Sequence, residues 1–401
     1  MSQDSQLSPG DVLRREEPSH ALYLHIPFCA TKCTYCAFNT YTQMEAIIPS
    51  FVKALCLELR ILSQARPGLP IHTVYFGGGT PSLLTASQLH AILDQIASGY
   101  KVQPDAEITL EANPNDLDEG YTKELRALGF QRISLGMQSA QEKELRLFAR
   151  RHGNAHLLRA VSAIRQAGID NFNLDLIFGI PHQSLPDWQE SLQQAIHLNP
   201  THLSLYALSL EPGTPMREWV MSGQLPLPDE ENTVAMYEWA TDRLNAEGYQ
   251  QYEISNWCRP SYESRHNLQY WRNLPYLACG PGAHGWANGV RYQNLLSPRE
   301  YIDRLRQTVS IDFPLTPVVA EHETVDRKTQ LAETLMMGLR LTQEGIPLHQ
   351  LQQRFGVDLL QEKKAVIQRF CETGFLEITA GALRLTREGR FVSNAILRDL
   401  I

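Results

Sequence analysis

The chain has 401 residues, of which 43% are apolar and 20% are charged. These values are typical of a globular protein with room for two domains. The net charge of −8 provides no basic footprint for DNA or RNA, and no apolar run approaches the roughly 20 residues that cross a bilayer. The polar residues 1–20 predict a flexible N-terminus rather than a signal peptide. We therefore expect a cytoplasmic protein with no transmembrane segment and no nucleic-acid partner.

Strand-like and helix-like segments alternate in the first half of the chain. The predicted strands are residues 22–26, 73–76, 107–111, 132–137, 173–178 and 202–208. The predicted helices between them are residues 46–64, 86–97, 119–128, 142–166 and 187–197. This alternation predicts an α/β fold with parallel strands and helices outside them. A doubly wound sheet and a barrel both fit the pattern.

The second half of the chain is organised differently. A proline-rich break precedes a predicted helix at residues 231–247, and a stretch dense in aromatic residues, histidine and glycine follows. Three helices, at 325–341, 348–355 and 360–373, then precede a hairpin at 374–386 and a closing helix at 387–401. This order resembles a winged helix. We predict four parts: 1–20, the β/α core 21–225, a connecting region 226–317 and a C-terminal domain 318–401.

Seven cysteines are unevenly distributed along the chain. Three of them follow the first predicted strand within eight residues: Cys29, Cys33 and Cys36. The other four lack the spacing of ligands and are predicted to be core or surface residues: Cys56, Cys258, Cys279 and Cys371. An odd number of cysteines in a large chain argues against a disulfide framework. The clustered three therefore predict a metal site.

Two kinds of metal site compete for these thiols. Structural zinc usually takes four ligands, often as two C-x2-C pairs, and the chain has no second pair. His25 lies in an alternating, strand-like run rather than at a ligand position. A 4Fe–4S cluster normally takes four thiolates. Three would leave one iron open to S-adenosylmethionine, which supports radical chemistry.

The C-x3-C-x2-C motif, with Tyr35 before the last cysteine, resembles that of the radical SAM superfamily. The longer strings YLHIPFC and KCTYCAFN are similar to the oxygen-independent coproporphyrinogen III dehydrogenase family and its relatives. The resemblance extends from about Tyr23 to the C-terminus. It implies a partial (β/α)6 radical SAM barrel with a winged-helix-like C-terminal domain. It also implies a 4Fe–4S cluster on Cys29, Cys33 and Cys36, with S-adenosylmethionine at the open iron.

Other loops after the predicted strands carry residues suited to that cofactor. The second strand is followed by GGGTP, in which glycines let the backbone approach a ligand. Polar residues at three successive strand ends favour a shared ligand, although each alone could be a satisfied core group. The resemblance implies a binding set for S-adenosylmethionine of Tyr23, Tyr35, Gly78, Gly79, Thr80, Glu111, Gln138, Arg150 and Asp175.

The segment HNLQYW predicts a helix in which His266 lies beside Tyr270 and Asn267 beside Trp271. Imidazole and phenolate are both haem-iron ligands. An aromatic core helix with a buried histidine is the alternative interpretation. The segment also resembles the signature associated with haem binding in HemW-type haem chaperones, which implies that these four residues form a haem site. His284, near Gly280, Gly282 and Gly285 in a close-packed loop, is a secondary candidate.

Two functions remain after this comparison of motifs. The dehydrogenases carry a further cysteine two residues after the third and a longer N-terminal segment, whereas Phe38 stands at that position here. We therefore predict a haem chaperone that transfers haem to apo-haemoproteins and lacks coproporphyrinogen dehydrogenase activity. The alternative is the dehydrogenase itself. The sequence leaves open acceptors at a membrane surface, a homodimer and the identity of any catalytic residue.

Overall fold

The computed structural model describes residues 19–306 and 311–401. The N-terminal segment predicted to be flexible lies outside the described residues as far as residue 18. Two sheets and the helices packed on them account for the described regular structure. Within the described ranges, no helix is long and apolar enough to cross a membrane.

A large sheet contains twelve strands and a small sheet contains three. The strands of the large sheet are β1 (His20–Ile26), β2 (Pro70–Gly78), β3 (Lys101–Ala112), β4 (Arg132–Gln138), β5 (Asn171–Phe178), β6 (His202–Ala207), β7 (Gln250–Glu253), β8 (Asn256–Cys258), β9 (Tyr276–Cys279), β10 (His284–Ala287), β11 (Val290–Asn294) and β12 (Val319–Thr324). The small sheet comprises β13 (Ile346–Pro347), β14 (Leu376–Thr379) and β15 (Ala382–Leu385).

The helices fall in two groups along the chain. Those of the first 325 residues are α1 (Ile48–Ala65), α2 (Ala86–Gly99), α3 (Glu119–Ala127), α4 (Glu142–Leu147), α5 (Asn154–Gln166), α6 (Leu185–His197), α7 (Pro215–Met221), α8 (Glu230–Ala246), α9 (Arg265–Trp271) and α10 (Pro298–Arg304). The C-terminal ones are α11 (Arg327–Gly338), α12 (Leu348–Phe355), α13 (Leu359–Glu362), α14 (Lys364–Glu372), α15 (Arg387–Phe391) and α16 (Ser393–Leu400).

The first six strands lie side by side in chain order and all run parallel. This confirms the β/α repeat predicted from the sequence. Strand β9 pairs with the free edge of β1, and β8 pairs antiparallel with the edge of β6. Both edges of the six-stranded unit are therefore covered by strands from the connecting region.

Alternation along the strands separates an apolar outer face from a polar inner face. In β1 and β2 the apolar side chains that join the main core are Leu22, Leu24, Ile26, Val74 and Phe76. The residues between them, Tyr23 and Tyr75, stack on each other with ring centroids 6.2 Å apart. Helices thus cover one face of the sheet, and the opposite face lines an interior rich in polar groups.

The outer helices bury apolar residues at helical spacing. In α1, Phe51, Leu55, Leu59 and Leu62 are fully buried and lie three or four residues apart, which places them on one face. Helix α2 begins at Thr85, whose side chain accepts from the backbone of residue 88 in a capping box. These local signals explain why both helices were predictable and why they pack on the outside.

One predicted helix is wrong. Residues 142–166 form two helices, α4 and α5, because Ala149 adopts a left-handed backbone conformation with φ 56° that ends α4. Arg150 lies in the break rather than on a helix. The predicted helices 360–373 and 387–401 are likewise divided, near Lys363 and Val392, where both backbones leave helical geometry.

The C-terminal helices and the small sheet have a separate apolar core, which includes Leu335, Leu351 and Leu397. Hairpin β14–β15 is present as predicted. Strand β12, by contrast, pairs with β11 in the large sheet. We therefore propose that the C-terminal domain begins after Thr324, slightly later than residue 318.

Glu58 joins α1 to the region that follows β9. Its fully buried carboxylate accepts hydrogen bonds from the Gly280 N–H, the Asn294 amide and the Tyr301 and Thr316 hydroxyls. Burial raises the pKa of Glu58 to about 7, and the four donors oppose that rise. This network fixes the glycine-rich segment against the barrel.

Candidate functional site

The cysteine loop, residues 29–36, starts three residues after β1 ends. The GGGTP loop after β2 lies against it, because the N–H groups of Gly79 and Thr80 donate to the carbonyls of Ile26 and Phe28, each at 2.8 Å. The structure therefore brings the two predicted loops together. Both lie at the carboxyl ends of parallel strands, where sites form in folds of this kind.

Two of the three sulfurs face hydrogen-bond donors. The Thr80 hydroxyl donates to Cys29 Sγ at 3.4 Å, and the Arg150 guanidinium donates to Cys33 Sγ at 3.5 Å. Burial raises the pKa of Cys29 and of Cys36, and the neighbouring sulfurs add to the rise. A bound metal would replace these protons, since the thiolate is the ligand form. The donor set therefore fits a thiolate-bound metal centre.

A single metal ion makes a different demand from a cluster. Across residues 19–306 and 311–401, no three His, Cys, Asp or Glu side chains are arranged to hold one metal ion. In an iron–sulfur cluster, by contrast, each thiolate binds its own iron.

The barrel interior holds two buried carboxylates. Glu111 accepts from the Tyr75 hydroxyl at 2.9 Å and from the Gly78 N–H at 3.0 Å. Asp175 accepts from the Asn173 amide at 2.7 Å. Burial, followed by the charge of Asp175, raises the pKa of Glu111 to about 7, and burial also raises the pKa of Asp175. Two like charges in one interior favour a ligand that carries positive charge.

Gly78 is the glycine on which this geometry depends. Its φ is 108°, and a Cβ there would stand 2.5 Å from the His25 ring. That ring is itself fixed by hydrogen bonds of 3.0 Å to the Tyr23 hydroxyl and the Asn39 carbonyl. His25 is thus a buried strand residue that shapes the glycine loop, in agreement with its assignment from the sequence.

The other candidates for S-adenosylmethionine lie close by. Gln138 ends β4 with a left-handed φ of 66°, and both its amide and the Arg150 guanidinium reach the space beside Gly136. Arg150 also donates to the Gly136 carbonyl at 3.0 Å. Tyr35 packs edge-on against Phe148 with centroids 4.7 Å apart, on the cluster side. The predicted set therefore lies around one end and the interior of the barrel.

Helix α9, which carries HNLQYW, packs against residues nearer the amino ends of the strands. The Ser264 side chain caps it by accepting from the Asn267 N–H at 3.3 Å. The carboxylate of Glu107 on β3 accepts from the N–H groups of Arg265 and His266, each at 3.2 Å. The first turn of α9 is therefore fixed to the barrel wall.

His266 is buried, with 1% of its surface exposed. Its two ring nitrogens form hydrogen bonds of 2.8 Å, Nδ1 with the Thr73 hydroxyl and Nε2 with the Tyr270 hydroxyl. Its ring stacks on Tyr75 with centroids 4.8 Å apart. Burial lowers its pKa to about 3, so the imidazole is neutral. The predicted pairing of His266 with Tyr270 is confirmed, and both nitrogens are engaged in this conformation.

The remaining haem candidates lie elsewhere. Asn267 and Trp271 are half-buried, and Trp271 lines a cavity against the C-terminal helices. Gly280 packs against the His25 carbonyl and Gly282 against Asn39, so the glycine-rich segment is close-packed as predicted. It adjoins the cysteine loop rather than α9. The structure thus divides the haem candidates between the barrel interior and its periphery.

Three residues of this site were not singled out from the sequence. Tyr75 is aligned with Tyr23 across β1 and β2 and, by strand alternation, shares its inner face, which was readable from the pattern. Thr73 lies on the same face of the same strand. Glu107 gives no comparable signal, since its partners on α9 are about 160 residues away.

Comparison with known proteins identifies the family. The model of the radical SAM superfamily matches residues 23–195, and that of the HemN C-terminal domain matches residues 325–392. The protein of Mycobacterium tuberculosis named "Heme chaperone HemW" is 37% identical over 383 residues, 95% of this chain and 94% of that protein. The chain belongs to the HemW family.

Another HemW protein, from Bacillus subtilis, is 34% identical over 93% of this chain and 97% of its own length. Among solved structures, coproporphyrinogen III oxidase (HemN) from Escherichia coli matches with a TM-score of 0.79 over 95% of this chain and 90% of that one. The two sequences are 20% identical, so this match shows the fold alone. The predicted α/β radical SAM fold is thereby confirmed for this HemW family member.

Proposed function

We propose that this protein binds haem and transfers it to apo-haemoproteins, and that it carries a 4Fe–4S cluster and S-adenosylmethionine. The observation that supports this function most directly is the end-to-end similarity to relatives named as haem chaperones. The second candidate, coproporphyrinogen III dehydrogenase, draws support from the shared fold. Phe38, in place of the additional thiol implied for that enzyme, argues for the chaperone.

In this proposal Cys29, Cys33 and Cys36 each bind one iron, and the fourth iron takes S-adenosylmethionine. When bound, the cluster supplies an electron to that cofactor. The chain itself contributes donors: the Thr80 hydroxyl and the Arg150 guanidinium hydrogen-bond to two of the sulfurs and stabilise thiolates over thiols.

S-adenosylmethionine carries a sulfonium and an ammonium group, and the barrel interior carries Glu111 and Asp175. These carboxylates can also accept from ribose hydroxyls. The backbone of Gly78 and Gly79 is open to close approach, and Gln138 and Arg150 lie at the next strand end. Tyr23 and Tyr35 close the site from two sides.

For haem we propose His266, Asn267, Tyr270 and Trp271. Because both imidazole nitrogens are engaged, iron binding by His266 requires the exchange of its hydrogen bond to Tyr270 or to Thr73 for a bond to iron. The exchange leaves a hydroxyl free, so α9 must shift when haem is bound. We infer that the described conformation is the one without cargo.

One experiment separates the two functions. The protein is purified anaerobically, its cluster is reconstituted, and haem titration is run beside an assay for decarboxylation of coproporphyrinogen III. The expected result is a Soret band that saturates with haem and no decarboxylation. A protein that decarboxylates the porphyrinogen and binds no haem would establish the dehydrogenase.

We expect cofactor affinity to depend on Glu111 and on pH. The Glu111→Gln, Gln138→Ala and Asp175→Ala variants should each weaken S-adenosylmethionine binding by at least about tenfold, since a hydrogen bond to a charged group contributes roughly 1.5–3 kcal/mol. Because the pKa of free Glu111 is raised to about 7 and the cation favours the carboxylate, affinity should rise between about pH 6 and pH 8. Calorimetric titration of the reconstituted protein measures both effects.

The Glu111→Gln variant is the control for the pH effect, because it keeps the shape and cannot titrate. Its affinity should be flat across that range. Unchanged affinity in all three variants would mean that these side chains are core polar groups and that the cofactor binds elsewhere.

A further inference from the structure

A cavity lies between the end of α9 and the C-terminal domain. It encloses about 330 Å³ of empty space, part of which is open to solvent. Trp271 forms one wall, and Leu341, Ile346 and Leu351 contribute apolar surface. The HNLQYW segment therefore has a second face, directed away from His266 and towards a cleft with an aromatic wall.

Charge in this cavity is not balanced. Arg272 is neutralised by Glu344 through three contacts of 2.6–3.1 Å. Arg354 instead donates to two backbone carbonyls, those of Arg272 at 3.2 Å and Asn273 at 2.9 Å. Among the described residues, no carboxylate lies within ion-pair distance of the Arg354 guanidinium. Carbonyl dipoles satisfy its donors but leave its charge uncompensated.

Two further observations agree with a place for an anion. Burial lowers the pKa of Arg354, which shows that its charge is held partly out of water without a counter-charge. A second guanidinium, that of Arg340, lies 5.8 Å from the centroid of the Trp271 ring. An aromatic wall with a half-buried guanidinium suits a flat apolar ligand that ends in a carboxylate.

We propose that this cavity binds the propionate edge of haem, with Trp271 against the ring edge and Arg354 paired with a carboxylate. The proposal rests on the proposed haem-binding function. A cavity of about 330 Å³ is at the lower limit for a small-molecule site, so it receives an edge of the macrocycle rather than the whole. It assigns Arg354, outside HNLQYW, as a residue that recognises the cargo.

The test compares ferric haem with its dimethyl ester, which keeps the macrocycle and iron but has no propionate charge. Both are titrated in the same mild detergent against the reconstituted full-length protein. Wild type is expected to bind haem about tenfold more tightly than the ester. Arg354→Gln should bring this ratio to about one, and it should leave affinity for the ester unchanged.

The control for Arg354→Gln is Arg327→Gln. Arg327 is exposed, lies on the neighbouring helix α11 and donates to the Arg354 carbonyl, but it does not line the cavity. This variant removes one positive charge from the same region and should keep the tenfold ratio. Loss of the ratio in both variants would indicate a general field effect and overturn the assignment of Arg354.

A second position keeps the test independent of folding. Gln350 lines the cavity and is exposed, so Gln350→Glu and Gln350→Lys should both fold. The first should lower and the second raise the haem-to-ester ratio, each by roughly threefold. Gln352 is also exposed, lies two residues further along α12 and points about 200° away. The same substitutions at Gln352 should leave the ratio unchanged.

The outcomes distinguish this inference from the function on which it rests. Wild type that binds haem and the ester equally well would overturn the propionate site and leave haem binding intact. Ratios unchanged by Arg354→Gln and by both Gln350 variants would do the same. Wild type that binds neither compound would overturn the proposed haem-binding function itself.

Discussion

Simultaneous replacement of Cys29, Cys33 and Cys36 by alanine is expected to abolish bound iron, labile sulfide and the brown absorbance of the reconstituted protein. All protein ligands of the proposed cluster lie in one loop, so no remaining thiol can substitute. The loop is only half-buried, and the main core excludes these three residues. Far-ultraviolet circular dichroism should therefore stay close to that of wild type while iron content falls to background.

The controls are single alanine variants at Cys56 and Cys371, which are half-buried like the three loop cysteines. Each removes a thiol of similar exposure at a distant position and should leave the iron and sulfide content unchanged. Cys258 is fully buried, so its replacement would mix cluster loss with damage to the core. A triple variant that keeps its full iron and sulfide content would show that the cluster is held elsewhere.

Replacement of His266 by alanine is expected to remove or shift the Soret band on haem titration, with normal iron–sulfur absorbance in the same sample. The axial bond is lost, and the haem Kd should rise by at least about tenfold. The variant also loses two hydrogen bonds and a stacked ring. We therefore expect its free energy of unfolding to fall by about 2–4 kcal/mol.

His202 provides a matched control for that loss of stability. It is also 1% exposed, and its two nitrogens form hydrogen bonds of 2.8 Å, one to Asn173 and one to the Tyr252 hydroxyl. His202→Ala should be destabilised to a similar extent and still bind haem. Equal loss of haem binding in both variants would mean that His266 acts only through the fold. Full haem binding by His266→Ala would move the axial ligand to another residue.

Local patterns predicted the elements and the cluster loop well. Strand alternation and helical spacing depend on neighbouring residues, as the buried face of α1 and the capped start of α2 show. The cysteine spacing and the pairing of His266 with Tyr270 are equally local, within eight residues of sequence. The break at Ala149 was missed, because a left-handed alanine has no sequence signal comparable to that of glycine.

The contrast is sharpest at α9. The sequence by itself determined that residues 265–271 form a helix, that it carries an imidazole beside a phenol, and that a thiol loop follows the first strand. Only the tertiary structure decided that the imidazole is buried with both nitrogens engaged and that Trp271 faces a separate cavity. The partners responsible lie far away in the chain, since Thr73 and His266 are 193 residues apart, and Arg354 reaches Asn273 across 81 residues. Such pairs form only when sheets and helices pack, and no short-range pattern encodes them.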